Sequence, residues 1–420
     1  MMFYEYQLKP CMIYAASPLH SKDFLERLRK ALDRLTGESA EYRGLATDPK
    51  ALEDALRGCK GALIVVSTGG TEHILVEGLR DYNGYAVLVA HPYANSLAAL
   101  MEAVPLLKGR RIAPMYIGSL TGEDARRLIE ASVRSLSAAA RLSGSRLALI
   151  GEPSPWLVYS RLLDQAAVRE RLGAELVKVP LDEVYERYEK ARVDSELVEK
   201  ILKGAVEADR PRSEVEKALR LYEALKSIVE EKRLDGFTIE CFELIPRLHT
   251  TACLAVSLFN SSGVVAGCEG DVPGFITMAL LTWVSDRPAF MANPAEMGDR
   301  WLLLAHCTAP IAYGTYKLMT HFESGVGVGL SVEIASRGST VTIARLSPKL
   351  DKLRVIRGVV EKAGLFSNLH CRTQVRVRLE SDPHVLLEDS IGNHYVMVPG
   401  DYSLEMKVAA QLLGIRYEPL

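Results

Sequence analysis

The stretch AGCEGDVPGFITMALLTW, residues 266–283, marks the point at which an apolar strand gives way to a long apolar helix. Two carboxylates, Glu269 and Asp271, stand at this junction. Asp271 comes just before the helical pattern, with Pro273 near the first turn, which favours a capping role or a supporting place beside a substrate. Glu269 follows the strand directly and is expected to be partly buried, so it needs a cation or hydrogen-bonding partners.

Strand and helix patterns alternate throughout the chain on the amino-terminal side of this junction. Residues 1–144 contain the buried strand pattern GALIVVSTGG (61–70) and the amphipathic helix SKDFLERLRKALDRL (21–35), in which Ser21 holds the capping position. Residues 145–286 repeat the alternation. Such alternation favours parallel sheets with helices on both faces, so we expect two Rossmann-like α/β units.

From residue 287 onward, short strand patterns replace the alternation of strands and helices. Short, β-branched segments such as GVGVGLSVEI (325–334) and QVRVRLES (374–381) are separated by Gly, Pro, Ser and Asp. This pattern predicts an antiparallel, β-rich C-terminal domain, and the helix SLEMKVAAQLLG (403–414) closes the chain. The sequence therefore predicts three domains, residues 1–144, 145–286 and 287–420, of which the second carries part of the active site.

The composition is that of a globular protein without a nucleic-acid or membrane partner. The 420 residues are 48% hydrophobic and 25% charged, with a formal net charge of −2. No apolar run reaches the ~20 residues that a membrane span needs, and the amino terminus lacks the features of a secretory signal. Seven cysteines, an odd number without a CxxC pair, are typical of reduced thiols in a cytoplasm rather than of disulfides. We therefore expect a cytoplasmic location.

Two histidines lie at the ends of predicted strands, as Glu269 does. His306 follows the apolar segment WLLLA, and His394 precedes the strand YVMVP. A single histidine in such a place is often only a hydrogen-bonded structural residue. Two imidazoles together with a carboxylate are the ligands of a divalent transition metal such as Mn²⁺, Fe²⁺ or Zn²⁺.

Five further residues are candidates for contacts with a substrate. Glu240 follows a strand that should lie beside the one ending at Glu269, although it fits equally well as a loop acid. His321 and Glu323 precede a glycine-alternating segment whose bare face admits either a ligand or a packing neighbour. His73, in STGGTEH at a strand-to-helix junction, is placed to bind a sugar hydroxyl or a phosphate. Trp156 is either a stacking platform for a sugar or a core residue.

Several motifs resemble the L-fucose/L-arabinose isomerase family, in its shorter and divergent fucose isomerase-like branch. The resemblance covers most of the chain through the order and approximate spacing of these motifs. They are AGCEGDVPGFITMALL (266–281), DRPAFMANP (286–294), LAHCTAP (304–310), HFESGVGVGL (321–330), STVTIARLS (339–347) and IGNHYVMVPGDY (391–402), with YRGLATDPKAL (42–52), VVSTGGTEH (65–73) and HPYANSLAALMEA (91–103) in the amino-terminal half.

The resemblance implies a role for each residue of the cluster. Glu269 matches the acid that binds a divalent metal, typically Mn²⁺, and carries a proton between C1 and C2 of an open-chain sugar. His394 matches the C-terminal metal-binding histidine, and His306 matches a further histidine of the arabinose branch. In such a reaction the metal acts as a Lewis acid on the oxygens of an enediolate, and a carboxylate transfers the proton.

The sequence departs from the family at the second carboxylate. Ala292 or Asn293 holds the corresponding place in FMAN (290–293). Asn293 could bind a metal through its amide oxygen, but it could not act as a general base. Glu296, three residues further on, could take the catalytic place if the loop differs.

The resemblance also implies an activity and an assembly. The expected function is a metal-dependent aldose–ketose isomerase that acts on a small sugar or sugar derivative. The alternatives are an epimerase-like or aldolase-like enzyme on the same fold, or a sugar-binding protein without catalysis. The family further implies a homotrimer or homohexamer whose site is completed at a subunit interface.

Overall fold

A computed structural model of the chain describes residues 9–37 and 39–420, which form two compact units. The N-terminal unit contains residues 9–143 and Leu404–Tyr417, and the site unit contains Gly144–Ser403 and Glu418–Leu420. The first eight residues, on which the expectation about a secretory signal partly rests, lie outside the described residues. In the ranges that are described, no helix is both long and apolar enough to cross a membrane.

The N-terminal unit is built on an all-parallel sheet of five strands in the order β2-β1-β3-β4-β5. The central strands are apolar throughout because helices cover both faces of the sheet. As expected, Ser21 caps the first helix and accepts a hydrogen bond from the Phe24 N–H. In chain order the elements are β1 (Cys11–Ala15), α1 (Lys22–Thr36), β2 (Glu41–Ala46), α2 (Pro49–Leu56), β3 (Gly61–Val66), α3 (Glu72–Gly78), β4 (Tyr85–Ala90), α4 (Ser96–Ala103), β5 (Ile112–Tyr116) and α5 (Glu123–Leu142).

One expectation about the cysteines is wrong. Cys11 and Cys59 form a disulfide within the N-terminal unit, with their Cα atoms 6.0 Å apart. Cys11 begins β1, and Cys59 lies just before β3, which pairs with β1 in parallel. The pairing of the strands therefore brings together two thiols that are 48 residues apart in sequence. The other five cysteines are free.

The site unit begins with a second all-parallel sheet, which has four strands in the order β10-β9-β6-β7. The charged segment 181–233 forms three helices, and their apolar faces pack on this sheet and on neighbouring elements. The elements are β6 (Arg146–Ile150), α6 (Gln165–Ala167), β7 (Glu175–Val179), α7 (Leu181–Lys190), α8 (Ser195–Gly204), β8 (Glu207–Ala208), α9 (Arg212–Lys232), β9 (Gly236–Ile239), α10 (Leu244–Leu248), α11 (Cys253–Ser262), β10 (Val265–Cys268) and α12 (Val272–Ser285).

Most of the remaining strands of the site unit are antiparallel and close into a barrel. The strand order is β15-β18-β11-β12-β17-β16, and a further pairing of β15 with β16 closes the ring. A small separate sheet has the order β14-β13-β8. The elements are β11 (Phe290–Gly298), β12 (Trp301–His306), β13 (Tyr316–Met319), β14 (Gly329–Val332), β15 (Thr340–Leu346), β16 (Lys352–Ala363), β17 (Thr373–Leu379), α13 (Val385–Glu388) and β18 (Tyr395–Pro399). From Leu404 onward, α14 (Ser403–Leu412) and the first half of β19 (Arg416–Pro419) belong to the N-terminal unit.

This architecture confirms the predicted fold class, with two parallel α/β units followed by a β-rich unit. The domain boundary near residue 287 stays a prediction. Helix α12 connects the second parallel sheet to the barrel within the site unit, and all of its residues are buried. A helix that is apolar on every side is typical of a core element, since it contacts protein all round. The N-terminal end of α12, next to Glu269 and Asp271, therefore lies between the second parallel sheet and the barrel.

Candidate metal centre

The turn between β10 and α12 holds Glu269 in an unusual backbone conformation. Its φ is 62°, in the left-handed region that non-glycine residues rarely adopt. The turn is fixed by two backbone hydrogen bonds, from the Ser154 N–H to the Glu269 carbonyl at 2.8 Å and from the Gly270 N–H to the Ile239 carbonyl at 3.0 Å. A Cβ on Gly270 would lie 2.7 Å from the Glu152 carbonyl oxygen. Such conformations cost of order 1–3 kcal/mol and cluster at functional sites.

Three side chains from different elements converge on one buried point. Glu269 Oε1 lies 3.4 Å from His394 Nε2 and 3.8 Å from His306 Nε2. The two imidazole rings stand edge to face with their centroids 5.7 Å apart. One ligand atom from each residue lies within 4.8 Å of the others, and all three residues are buried. This cluster could hold a metal ion.

Asp271 fixes the orientation of the His394 ring. The Asp271 Oδ2 atom lies 2.8 Å from His394 Nδ1, which is placed to donate. When Nδ1 carries the proton, Nε2 turns a lone pair toward Glu269. Metal-binding histidines commonly have such a carboxylate partner, which sets the tautomer and the ring orientation.

Asp271 is itself fully buried and held by three groups. Its Oδ1 accepts the Gly274 N–H at 3.0 Å, so Asp271 caps α12 as the sequence predicts. Its Oδ2 accepts from Arg345 Nη1 at 2.7 Å. Arg345 is also fully buried, and it donates to the His394 carbonyl at 3.0 Å and to Ser160 Oγ at 2.7 Å. With these partners and no exposed surface, Asp271 cannot contact a substrate, so that expectation is wrong.

Space for the Arg345 guanidinium is left by two glycines. A Cβ on Gly274 would lie 2.7 Å from Nη1, and one on Gly392 would lie 2.5 Å from Nη2. Gly392 also has a φ of 129°, which side chains rarely adopt. Gly274 and Gly392 therefore leave the space that the buried Arg345–Asp271 ion pair needs.

Electrostatics keep the two carboxylates ionised. Burial alone would raise the pKa of Glu269, but His394 and His306 outweigh it and lower the pKa well below its usual range. Burial also opposes ionisation of Asp271, and Arg345 with His394 lowers its pKa below the usual range. Burial would lower the pKa of His394, whereas Glu269 and Asp271 raise it to about 9. The two carboxylates therefore favour the ionised form, which is the form that binds a cation.

The donor set fits a divalent transition metal. His394 Nε2 and His306 Nδ1 are buried and have no hydrogen-bond partner among the described residues. A buried ring nitrogen without a partner is costly unless something binds it. Two imidazoles and one carboxylate are ligands for Mn²⁺, Fe²⁺ or Zn²⁺, and they leave coordination positions for oxygens of a substrate. A bound ion would thus give the His394 Nε2 atom a partner and remove the cost of burying it unpaired.

Aromatic side chains form a wall beside the cluster. The Trp156 indole N–H donates to Glu269 Oε2 at 2.6 Å. Its ring packs edge-on against Phe242 at 4.9 Å, and Phe242 packs edge-on against His321 at 5.7 Å. Trp156 is 50% exposed, so it is not a core residue. Its stacking on a sugar stays a prediction.

Glu296 does not join the cluster. Residues 290–298 form strand β11 rather than a loop, and Glu296 pairs with Leu303 of β12, three residues before His306. Three residues of strand separate two positions by ~10 Å. The Glu296 carboxylate instead lies 2.7 Å from His370 Nε2. The expectation that Glu296 takes the catalytic place is therefore wrong.

The remaining candidates occupy varied places. Asn293 pairs with Ala305, next to His306, and its Oδ1 accepts from Asn393 at 2.9 Å. Glu240 follows β9 beside the Glu269 turn, but its carboxylate accepts the Glu152 N–H at 2.7 Å, and burial raises its pKa. His73 is exposed in the first turn of α3, in the N-terminal unit.

His321 and Glu323 lie in the turn that precedes β14. His321 is buried, and its Nδ1 lies 2.9 Å from Ser324 Oγ. Glu323 is exposed in the same turn. Sequence reasoning missed Arg345 and Phe242 altogether. For Arg345 a signal existed, because a single arginine inside the apolar strand TVTIARL is expected to be buried and therefore to need an anion.

Comparisons with known proteins show a distant similarity to sugar isomerases. No protein-family model matches the chain. It is 22% identical to a sulfoquinovose isomerase of Alkalicoccus urumqiensis over 67% of its length and 66% of the relative's. Relatives of the same name from Priestia aryabhattai (22% identity, 65% of this chain and 64% of the relative) and Clostridium sp. strain MSTE9 (22%, 69% and 68%) are similar. The chain is therefore similar to curated sulfoquinovose isomerases, and it spans about two thirds of their length.

Proposed function

We propose that the protein is a metal-dependent aldose–ketose isomerase of the L-fucose/L-arabinose isomerase type. The observation that carries the proposal is the buried Glu269, His306 and His394 cluster, with a free His394 nitrogen held toward Glu269 by Asp271. Curated relatives named sulfoquinovose isomerase support the same reaction class. The substrate is a small sugar or sugar derivative, and Mn²⁺ is the preferred metal.

The residues of the cluster divide the work between binding and orientation. Glu269, His306 and His394 would hold the cation, which supplies Lewis-acid stabilisation of the charge that develops on two neighbouring sugar oxygens. Asp271 and Arg345 hold the His394 ring in place, and the Trp156 indole holds one oxygen of Glu269. Trp156 also presents an exposed face on which an open-chain sugar can lie.

The first prediction tests metal and activity together. The protein, stripped with a chelator and reloaded with Mn²⁺, should retain about one equivalent of metal per chain, because one cluster supplies the ligands. It should then convert at least one aldose in a panel that includes L-fucose, L-arabinose and sulfoquinovose. Elemental analysis and chromatography of the products provide the measurements.

The metal-free protein serves as the control and should convert none of these sugars. Retained Mn²⁺ with a change at a single stereocentre, or with carbon–carbon cleavage, would favour an epimerase-like or aldolase-like enzyme. Retained Mn²⁺ without conversion of any sugar would favour a sugar-binding protein. Failure to retain Mn²⁺ would contradict the proposal itself.

We also propose a homotrimer or homohexamer in which a neighbouring subunit completes the site. Apolar side chains on each unit support an interface. The N-terminal unit exposes three apolar side chains at a spacing of four residues. They are Tyr93, which lies just before α4, and Leu97 and Met101, which lie within it. In the site unit, Val158 and Leu162 are 73% and 70% exposed in the segment that follows Trp156. Such clusters commonly mark contacts with another chain.

Light scattering should therefore give a mass of three or six times the 46.3 kDa of one chain. Replacing Leu97 and Met101 together by Ser should weaken the assembly, since a stable interface has to bury well over ~1,000 Å². A monomer at micromolar concentration would contradict this expectation. Replacing the exposed Leu19 by Ser is a matched control that should leave the mass unchanged.

A further inference from the structure

Under the proposed function, one chemical role in the site has no residue assigned to it. An aldose–ketose isomerase has to move a proton between two neighbouring carbons. Both oxygens of Glu269 already have neighbours in the site. Oε2 accepts a hydrogen bond from the Trp156 indole, and Oε1 faces the Nε2 atoms of His306 and His394. Glu296, which the sequence suggests for this role, is bound to His370 instead.

Glu323 lies in a turn that contacts Cys307, the residue that follows His306. The Phe322 N–H lies 3.4 Å from Cys307 Sγ, and Cys307 follows His306 in sequence. The Leu330 N–H also donates to the Cys307 carbonyl at 2.9 Å. Phe322, the residue before Glu323, and Leu330 of β14 therefore both contact Cys307, which follows His306 in sequence.

The turn itself is tightly bonded. The Gly325 N–H donates to the His321 carbonyl at 3.2 Å, and the Ser324 N–H donates to His321 Nδ1 at 3.2 Å. On its other side, His321 packs against Phe242, which packs against Trp156. A series of ring contacts thus links His321 of the turn to Trp156, which binds Glu269.

The Glu323 carboxylate is free and within electrostatic reach of the cluster. None of the described residues forms a hydrogen bond or an ion pair with it. Partial shielding from water raises the pKa of Glu323, and the charge of Glu269 raises it further. His321 and His306 act in the opposite direction, and Cys307 also raises this pKa. A carboxyl group with a raised pKa is better matched to proton transfer near neutral pH.

We infer that Glu323 is the second catalytic carboxylate, which carries the carbon-bound proton of the sugar. Its carboxylate removes the C2 proton, the C2–H electron pair forms the C1–C2 double bond, and the carbonyl pair moves onto O1. The carboxylic acid then returns that proton to C1. The O2–H bond breaks to form the C2 carbonyl, and its proton passes to O1, so an aldose becomes a ketose with no other reactant.

The test uses the full-length, Mn²⁺-loaded protein and an aldose that the wild-type protein converts. Glu323→Gln should lower kcat at least ~100-fold, and it should slow exchange of the C2 hydrogen with D₂O by the same factor. Bound Mn²⁺ should stay unchanged, because Glu323 is not a ligand. Glu323→Ala should regain part of its kcat when formate is added, which a residue with a purely structural role would not show.

Glu333→Gln is the matched control, since Glu333 is an exposed glutamate ten residues further along the same segment. It should keep the wild-type kcat. The inference is overturned if Glu323→Gln retains kcat within about threefold of wild type, or if it loses its Mn²⁺ together with kcat. Absence of conversion by the wild-type protein would overturn the proposed function, and this inference with it. The two failures are therefore distinguishable.

Discussion

Replacing Glu269 by Gln is expected to abolish Mn²⁺ binding and to lower kcat at least ~100-fold, because the variant would lose the several kcal/mol of Lewis-acid stabilisation that a metal supplies. Glutamine has nearly the same size and can still accept the Trp156 N–H. It lacks the negative charge that faces His306 and His394, so the ligand set becomes neutral. Elemental analysis after Mn²⁺ loading gives the first effect, and turnover of a responsive sugar gives the second.

Two further variants separate this effect from a general loss of structure. Glu243→Gln changes an exposed glutamate near the end of β9 and should retain both the metal and the activity. Asp271→Asn keeps an oxygen for the Gly274 N–H, so kcat should fall less than in Glu269→Gln. If Asp271→Asn abolishes metal binding and turnover while Glu269→Gln keeps them, the roles of the two acids have been assigned the wrong way round.

Replacing Arg345 by Met should lower the free energy of unfolding by about 3–5 kcal/mol, the cost of leaving one member of a buried ion pair without its partner. Arg345 and Asp271 are both 0% exposed, so water cannot take over the lost interactions. Methionine fills part of the space but offers no donor to Asp271, Ser160 or the His394 carbonyl. Urea unfolding of the metal-free proteins measures the difference without a contribution from bound metal.

A double-mutant cycle tests the cause of this destabilisation. Combining Arg345→Met with Asp271→Asn removes both charges, so the double variant should lose less than the sum of the two single losses. Arg378→Met, at an exposed position of β17, should change the free energy of unfolding by no more than ~0.5 kcal/mol. Additive losses in the cycle would show that Arg345 stabilises the unit by packing rather than by pairing with Asp271.

The sequence alone was sufficient for the fold class, and it singled out the three residues that converge in the Glu269, His306 and His394 cluster. Strand–helix alternation is local, so it can be read without knowing any contact. Glu269, His306 and His394 each stand at the end of a strand, and this position is also visible locally. The capping role of Asp271 follows from the same kind of pattern, because a cap interacts only with the next turn of its own helix.

Other features depend on contacts between segments that are distant in sequence. The Cys11–Cys59 disulfide arises from the pairing of β1 with β3, and the location of Glu296 arises from the register of β11 with β12. The FMAN segment could be read as a loop or as a strand. A strand fixes each residue at ~3.3 Å intervals, which carries Glu296 away from His306.

The partners of the two acids at the β10–α12 junction were likewise decided by tertiary structure. The sequence indicates that buried carboxylates there need cations or donors, but it does not indicate which ones. Arg345 comes from a barrel strand 74 residues away, and Trp156 comes from a loop 113 residues before Glu269. Carboxylates and arginines occur throughout the sequence, and only folding determines which of them are buried together. Local pattern therefore indicated the residues of the Glu269, His306 and His394 cluster, whereas long-range packing determined their partners, because a buried charge needs a partner and the fold decides which one is near.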